Sequence, residues 1–158
     1  MFDIENNILK KYKGNETNVV IPNGVTTIDD YAFNRCEGIK SIKIPRSVTI
    51  IGRGAFYECS GLTSVEIPSG VTTIGDYAFY ECSGLTSVEI PNGVTTIGVS
   101  AFYGCSGLIS VEIPKSVTYI GKYAFCGCES LKAIKMSRKC QCGNSCNYGC
   151  SAQIIYID

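Results

Sequence analysis

The chain has 158 residues, 45% of them hydrophobic, a formal net charge of zero and no histidine. That size suits one folded domain, and the missing histidine removes the usual general base and the commonest metal ligand together. Charge is unevenly spread: Met1–Arg53 carries eight Lys/Arg against six Asp/Glu, Gly54–Pro114 none against six, and Lys115–Asp158 six against two, which denies nucleic acid the continuous basic track that phosphates need.

No run reaches the ~18 to 20 consecutive apolar residues of a membrane span, so membrane insertion is not expected. The opening MFDIENNILKKYKG has acids where a signal peptide carries its basic region and lacks an apolar stretch, so the chain as written is expected to start in the cytoplasm. In the same segment Phe2–Glu5 and Ile8–Tyr12 flank Asn6-Asn7 and predict a hairpin. Residues 1–16 thus form an N-terminal cap over the open end of a core, and Thr17 to Ile21 takes the strand place of a first, leucine-less repeat.

From there the chain repeats with a period of 23. Two copies run almost unchanged, Ser60 to Cys82 and Ser83 to Cys105, and all five prolines (22, 45, 68, 91 and 114) fall at one place in successive units. So do Cys36, Cys59, Cys82, Cys105 and Cys128, and the Ala-Phe pairs ending at Phe33, Phe56, Phe79, Phe102 and Phe125. A fixed period of 20–50 residues is the mark of a solenoid, whose repeats bury their apolar faces against one another. Within a unit, Val65 and Ile67 alternate with Ser64 and Glu66, and Pro68 removes a ladder donor, so Thr63 to Ile67 is predicted as one strand of a parallel sheet. Val71 to Gly75 predicts a short extended stretch on the opposite side. Asp76 to Cys82 predicts one helical turn with Ala78, Phe79 and Cys82 inward, and Gly84 turns the chain into the next strand.

Residues 17–136 are regular, and 137–158 form a degenerate Cys-rich repeat with a cap strand. Adding 23 to Leu131 and Ile134 predicts a seventh strand over Ile154 to Ile157, with Cys140 in the Val place, Gly143 in the Ile place and Tyr148 in the Phe place. The whole is read as a single domain, an α/β-type repeat solenoid dominated by β, with a parallel sheet on its concave face and short or helical turns elsewhere.

The pattern Leu85-x-x-Val88-x-Ile90-Pro91-x-x-Val94-x-x-Ile97-Gly98-x-x-Ala101-Phe102-x-x-Cys105 closely resembles the BspA-like subclass of leucine-rich repeats, from about Thr17 to Cys128 and more weakly to Ile157. The resemblance implies a right-handed leucine-rich-repeat coil and a place among bacterial and protist surface proteins, some implicated in adhesion, hence a cell-surface or secreted setting. It implies no catalytic residues and no cofactor.

Outward on the sheet, Lys43, Glu66, Glu89, Glu112 and Lys135 form one column and Ser41, Ser64, Ser87, Ser110 and Ala133 another. Lys40, Thr63, Thr86, Ile109 and Lys132 form a third. Stacked like charges repel across strands, so the acidic run is either a solvated face or a stripe awaiting a basic partner. Thr63, Ser64, Glu66, Thr86, Ser87, Glu89, Ser110 and Glu112 are the candidate ligand-binding residues. The column Asn34, Tyr57, Tyr80, Tyr103 and Cys126 is either ring-on-ring packing or a contact ridge. Asn15-Glu-Thr17 is a glycosylation sequon of weak specificity.

The rung-spaced cysteines would lie near one strand spacing apart with parallel Cβ bonds, which predicts buried thiols rather than disulfides. Cys140, Cys142, Cys146 and Cys150 permit reduced thiols, disulfides on export, or a zinc site of uncommon spacing. The expected function is a non-enzymatic protein-interaction or adhesion module binding another protein with a basic surface through the concave face. A ligand-free structural spacer and a metal or redox protein working through the cysteine cluster are the alternatives. Basic segments at both ends predict a monomer, because head-to-tail stacking would bring like charges together.

Overall fold

The computed structural model describes residues 1–158 except Tyr148. Alternation of apolar and polar residues dictates very short strands, because each coil crosses the core in only two or three inward side chains. The long-strand face carries β3 (Asn18–Val20), β5 (Ser41–Lys43), β7 (Ser64–Glu66), β9 (Ser87–Glu89), β11 (Ser110–Glu112), β13 (Ala133–Met136) and β15 (Gln153–Tyr156). Opposite them run two-residue strands: β4 (Thr27–Ile28), β6 (Ile50–Ile51), β8 (Thr73–Ile74), β10 (Thr96–Ile97), β12 (Tyr119–Ile120) and β14 (Gln141–Cys142). All these pairings are parallel, and through the regular rungs the register advances by 23, as in Val65↔Val88 and Ile74↔Ile97. The result is a β-solenoid of about six turns.

The predicted hairpin is present. β1 (Phe2–Glu5) pairs antiparallel with β2 (Ile8–Tyr12), and Asn6 and Asn7 take φ of 49° and 64° at the turn. Two successive positive φ values match the twist of a two-residue hairpin, and asparagine tolerates them. β2 then pairs parallel with β4. Leu9 and Tyr12 are buried, and the Tyr12 ring lies 5.2 Å from Phe33, so the cap closes the end of the phenylalanine column.

That column is the spine of the core. Phe33, Phe56, Phe79, Phe102 and Phe125 are fully buried and stack at 5.1–5.4 Å with their planes within 19°. Ala78, Phe79 and Cys82 face inward, as expected from their spacing. The segment that carries them is not a helical turn, however. Ala78, Tyr80 and Cys82 donate their N–H three residues back within the rung, while Tyr77, Phe79 and Glu81 donate theirs to Val99, Ala101 and Tyr103 of the next rung. Tyr77 and Glu81 adopt φ of 58° and 55°, and these left-handed residues turn alternate peptides out of the coil, which a helix cannot do.

Glycine after the short strand is a packing requirement. A Cβ on Gly75 would lie 2.7 Å from the Gly52 carbonyl carbon, and one on Gly98 would lie 2.5 Å from Asp76 N. The expected parallel sheet is present on the long-strand face in two hydrogen-bonded sets, β3–β5–β7–β9 and β11–β13–β15, and Val88 at their junction is only half-buried. The register expected for the last rung is corrected. The last strand exists, but Ile134 pairs with Ile154, an advance of 20, and Ile120 pairs with Cys142, an advance of 22. Cys142 rather than Gly143 therefore holds the Ile place. Gly143 takes the place of Gly121, its Cβ direction closed by Lys122 N at 2.7 Å. Cys140 is buried beside the core, and the expectation for Tyr148 lies outside the described residues. No helix among the described residues is long and apolar enough to cross a membrane.

Candidate functional site

Strand alternation sends Val65 and Val111 into the core and the neighbouring serines and glutamates to solvent. Ser64, Glu66, Ser87, Glu89, Ser110 and Glu112 are all exposed. Glu66 stands directly opposite Glu89 on one side and Lys43 on the other, while Glu112 stands opposite Lys135. The Lys135 ammonium lies 3.8 Å from Glu112, and among the described residues no salt bridge reaches Glu66 or Glu89. The acidic run is thus divided where the ladder is divided.

Prolines at the strand ends line two open grooves on this face. One, of about 980 Å³, is lined by Lys43, Arg46, Glu66 and Glu89; the other, of about 710 Å³, by Glu89, Glu112 and Lys115. Glu89 lines both and forms the ridge between them. Thr63 and Thr86 are exposed but engaged: their hydroxyls donate to the carbonyls of Lys40 and Thr63 one rung back, at 3.1 and 3.2 Å. They brace the face.

The tyrosine column is a stack. Tyr57 and Tyr80 are 4.7 Å apart with planes 3° from parallel, and Tyr80 and Tyr103 are 4.8 Å apart at 6°. Tyr31, Tyr77, Arg35 and Arg53 gather beside it around an open cleft, with the Tyr31 ring lying over Gly54. The sequence reading passed over this group, although its signal was present: Gly54 interrupts a column otherwise made of Tyr31, Tyr77, Ser100 and Tyr123.

Each inner cysteine donates its thiol to the phenylalanine carbonyl one rung back: Cys59 to Phe33, Cys82 to Phe56, Cys105 to Phe79 and Cys128 to Phe102, at 3.1–3.2 Å. These cysteines are free. Burial pushes the Cys82 and Cys128 thiols up to about 12 and raises Cys59 and Cys105 likewise. A thiol held protonated is a poor nucleophile, so the ladder is structural. In the terminal rung Cys142 and Cys146, four residues apart, form a disulfide, while Cys140 and Cys150 remain free. Cys150 occupies the next rung of the thiol column but donates to Asn147 of its own rung, at 3.0 Å. Among the described residues no group of three or more His, Cys, Asp or Glu is placed to hold a metal.

Buried Ala-Phe-Cys columns and outward Ser-x-Glu strands, repeated in register, are matched by the model for the BspA type leucine rich repeat region, in six copies over residues 3–132 and 49–158. The chain belongs to this family. Leucine-rich repeat proteins of known structure superimpose on it. The leucine-rich repeat protein of T. pallidum is 30% identical with a TM-score of 0.80, over 85% of this chain and 67% of that one. A leucine-rich repeat protein from Bacteroides ovatus is 35% identical with a TM-score of 0.82, over 89% of this chain and 37% of that one. A leucine rich cell surface protein from Faecalibacterium prausnitzii is 27% identical with a TM-score of 0.57, over 85% and 52%. The chain therefore spans between about a third and two thirds of the length of these relatives. No curated protein matches it. Family membership makes the chain a protein-interaction or structural repeat module, of a kind that is typically non-enzymatic.

Proposed function

We propose that this chain is a non-enzymatic adhesion or protein-binding module that acts as a monomer and takes a protein with a basic surface on its long-strand face. The observation that carries the reading is the pair of grooves meeting at Glu89. Their carboxylates Glu66 and Glu89 are exposed and lack internal salt-bridge partners among the described residues, although they stand opposite one another. Like charges set directly across a strand pair destabilise the free protein, and a cationic partner relieves that repulsion. Ser64, Ser87 and Ser110 supply hydroxyls alongside, and the threonine hydroxyls hold the rungs in place. The cell-surface description of the F. prausnitzii relative supports an adhesive role.

The test is titration with a lysine-rich protein at two salt concentrations. Changing Glu66, Glu89 and Glu112 together to glutamine is expected to weaken binding at least tenfold and to flatten its salt dependence. Equal binding by the triple variant and the parent would remove this face from consideration and leave the ligand-free spacer as the better account.

A further inference from the structure

On the opposite flank from the grooves, the outward column Tyr31, Gly54, Tyr77 loses one side chain at its middle member. Gly54 is buried with φ of +55°, and a Cβ there would run into the Tyr31 ring. The Tyr31 ring fills that place, and with Tyr57, Tyr77 and Tyr80 it lines an open cleft of about 410 Å³, within the size range of small-molecule sites. Its walls are flat and mutually inclined. Tyr31 stands edge-on to Tyr57, 5.9 Å away at 61°, and Tyr77 is tilted 56° from Tyr80 at 5.9 Å.

Charge in the cleft is of one sign. The Arg53 guanidinium sits 5.1 Å over the Tyr77 ring and forms no salt bridge among the described residues, whereas Arg35 is held by Glu58 at 2.8 Å. Among the described residues no carboxylate lines the cleft, and Asn34 adds an amide. A guanidinium already laid on an aromatic face keeps its outer edge for a planar, bidentate acceptor such as a carboxylate. The phenols and the amide can each donate and accept hydrogen bonds, which suits the hydroxyl groups of a sugar ring. A planar aromatic ligand would want a closed slot between parallel rings, which inclined, open walls do not provide.

We propose that the cleft beside Gly54 binds a carboxylated pyranose, a sugar of the uronic- or sialic-acid class, with Arg53 taking the carboxylate and the phenols of Tyr57, Tyr77 and Tyr80 bonding its hydroxyl groups. This site is independent of the long-strand face and goes beyond the function proposed above.

Titrating the protein with glucuronic acid, N-acetylneuraminic acid, glucose and benzoate, while following tyrosine ring resonances by NMR, tests it. One or both acidic sugars are expected to bind with millimolar Kd and to shift Tyr57, Tyr77 and Tyr80, with glucose at least ten times weaker. Arg53→Gln, an exposed position, should abolish the preference for the acidic sugar over glucose without altering the fold, and Asn34→Ala should weaken both acid and neutral sugar. The glutamine variants of Glu66, Glu89 and Glu112 should bind the sugar unchanged, so this site and the protein-binding face stand or fall separately. Absence of shifts with both acids at about 10 mM, ten times the expected Kd, would overturn the proposal. So would benzoate binding as tightly as the sugars, or an undiminished preference in Arg53→Gln.

Discussion

The rung from Ser83 to Cys105 and the last one, from Ser137 onward, are built from the same plan and solve it differently. In the first, the phenylalanine spine is stacked on both sides and the thiol column is continuous: Phe102 lies between Phe79 and Phe125, and the Cys105 thiol bonds the rung before it. In the last, the advance falls from 23 to 22 and then to 20 residues, Cys142 stands exposed in an Ile place, and a disulfide to Cys146 ties the coil to itself. Order in a solenoid comes from neighbours. Where the regular spacing fails, a shorter loop and a covalent tie do the work that regular stacking does elsewhere.

The sharpest way to break that contrast is to empty the middle of the spine. Phe79→Ala removes a fully buried ring and is expected to destabilise the protein by about 4 kcal/mol in urea unfolding; a loss under about 1 kcal/mol would mean that the phenylalanine column is not what holds the rungs together. Opening the terminal tie should matter less and only locally. Cys142→Ser is expected to loosen the last rung by up to about 2 kcal/mol, the value for so short a closed loop, seen as faster hydrogen exchange there with Phe79 to Phe102 unchanged. Spread of that loosening into the central rungs would show the cap to be a global clamp.

The thiols distinguish the regions by pH. Burial raises the folded pKa of Cys82 and Cys128 above an ordinary value of 9.0 to about 12, so above pH 9 the unfolded chain loses those protons before the folded one does. Stability is then complete below about pH 9 and falls through the window up to 12, by about 1.4 kcal/mol per pH unit for each thiol. Cys82→Ala should shallow that alkaline slope, whatever its effect at neutral pH; an unaltered slope would place the titration elsewhere. Smallest of all, Glu89→Gln should leave stability unchanged or raise it by a few tenths of a kcal/mol, and a clear loss in thermal unfolding would show that Glu89 is satisfied in the free protein.

Much of the coil could be read from the chain because one signal recurs five times: Pro, Ala-Phe and Cys at fixed offsets leave no freedom in which side chains point inward. The Asn6-Asn7 hairpin was legible for a local reason, two residues that tolerate positive φ between alternating segments. The exposed Ser, Glu and Thr columns followed from the same register. What escaped lies where no such signal exists. Left-handed Tyr31, Tyr77 and Glu58 carry none of the glycine or asparagine that would announce them, so alternating peptides were mistaken for a helical turn. Three residues are dropped across the last rung in a stretch without regular apolar spacing, so counting by 23 overshoots from Ile154 to Ile157. The break between β9 and β11 falls in two strands of identical sequence, Ser-Val-Glu, and only tertiary geometry separates them. Of the sites, the acidic face was visible residue by residue, but the tyrosine cleft depends on how rings from three rungs lean against one another.

The alternating peptides of the turn flank have an electrical consequence. From Tyr12 N–H to Ala32 O at the hairpin, through Phe33 to Ala55, Phe56 to Ala78, Phe79 to Ala101 and Phe102 to Ala124, as far as Phe125 to Cys146, the inter-rung backbone bonds of these alternating peptides run the same way among the described residues. Ordinary strands cancel their peptide dipoles by alternation; here moments of about 3.5 D each add along the long axis, as in a helix. The flank is therefore a polar column, negative toward the N-terminal hairpin and positive toward the last rung, where the surplus of basic residues beyond Lys115 adds to the potential instead of offsetting it.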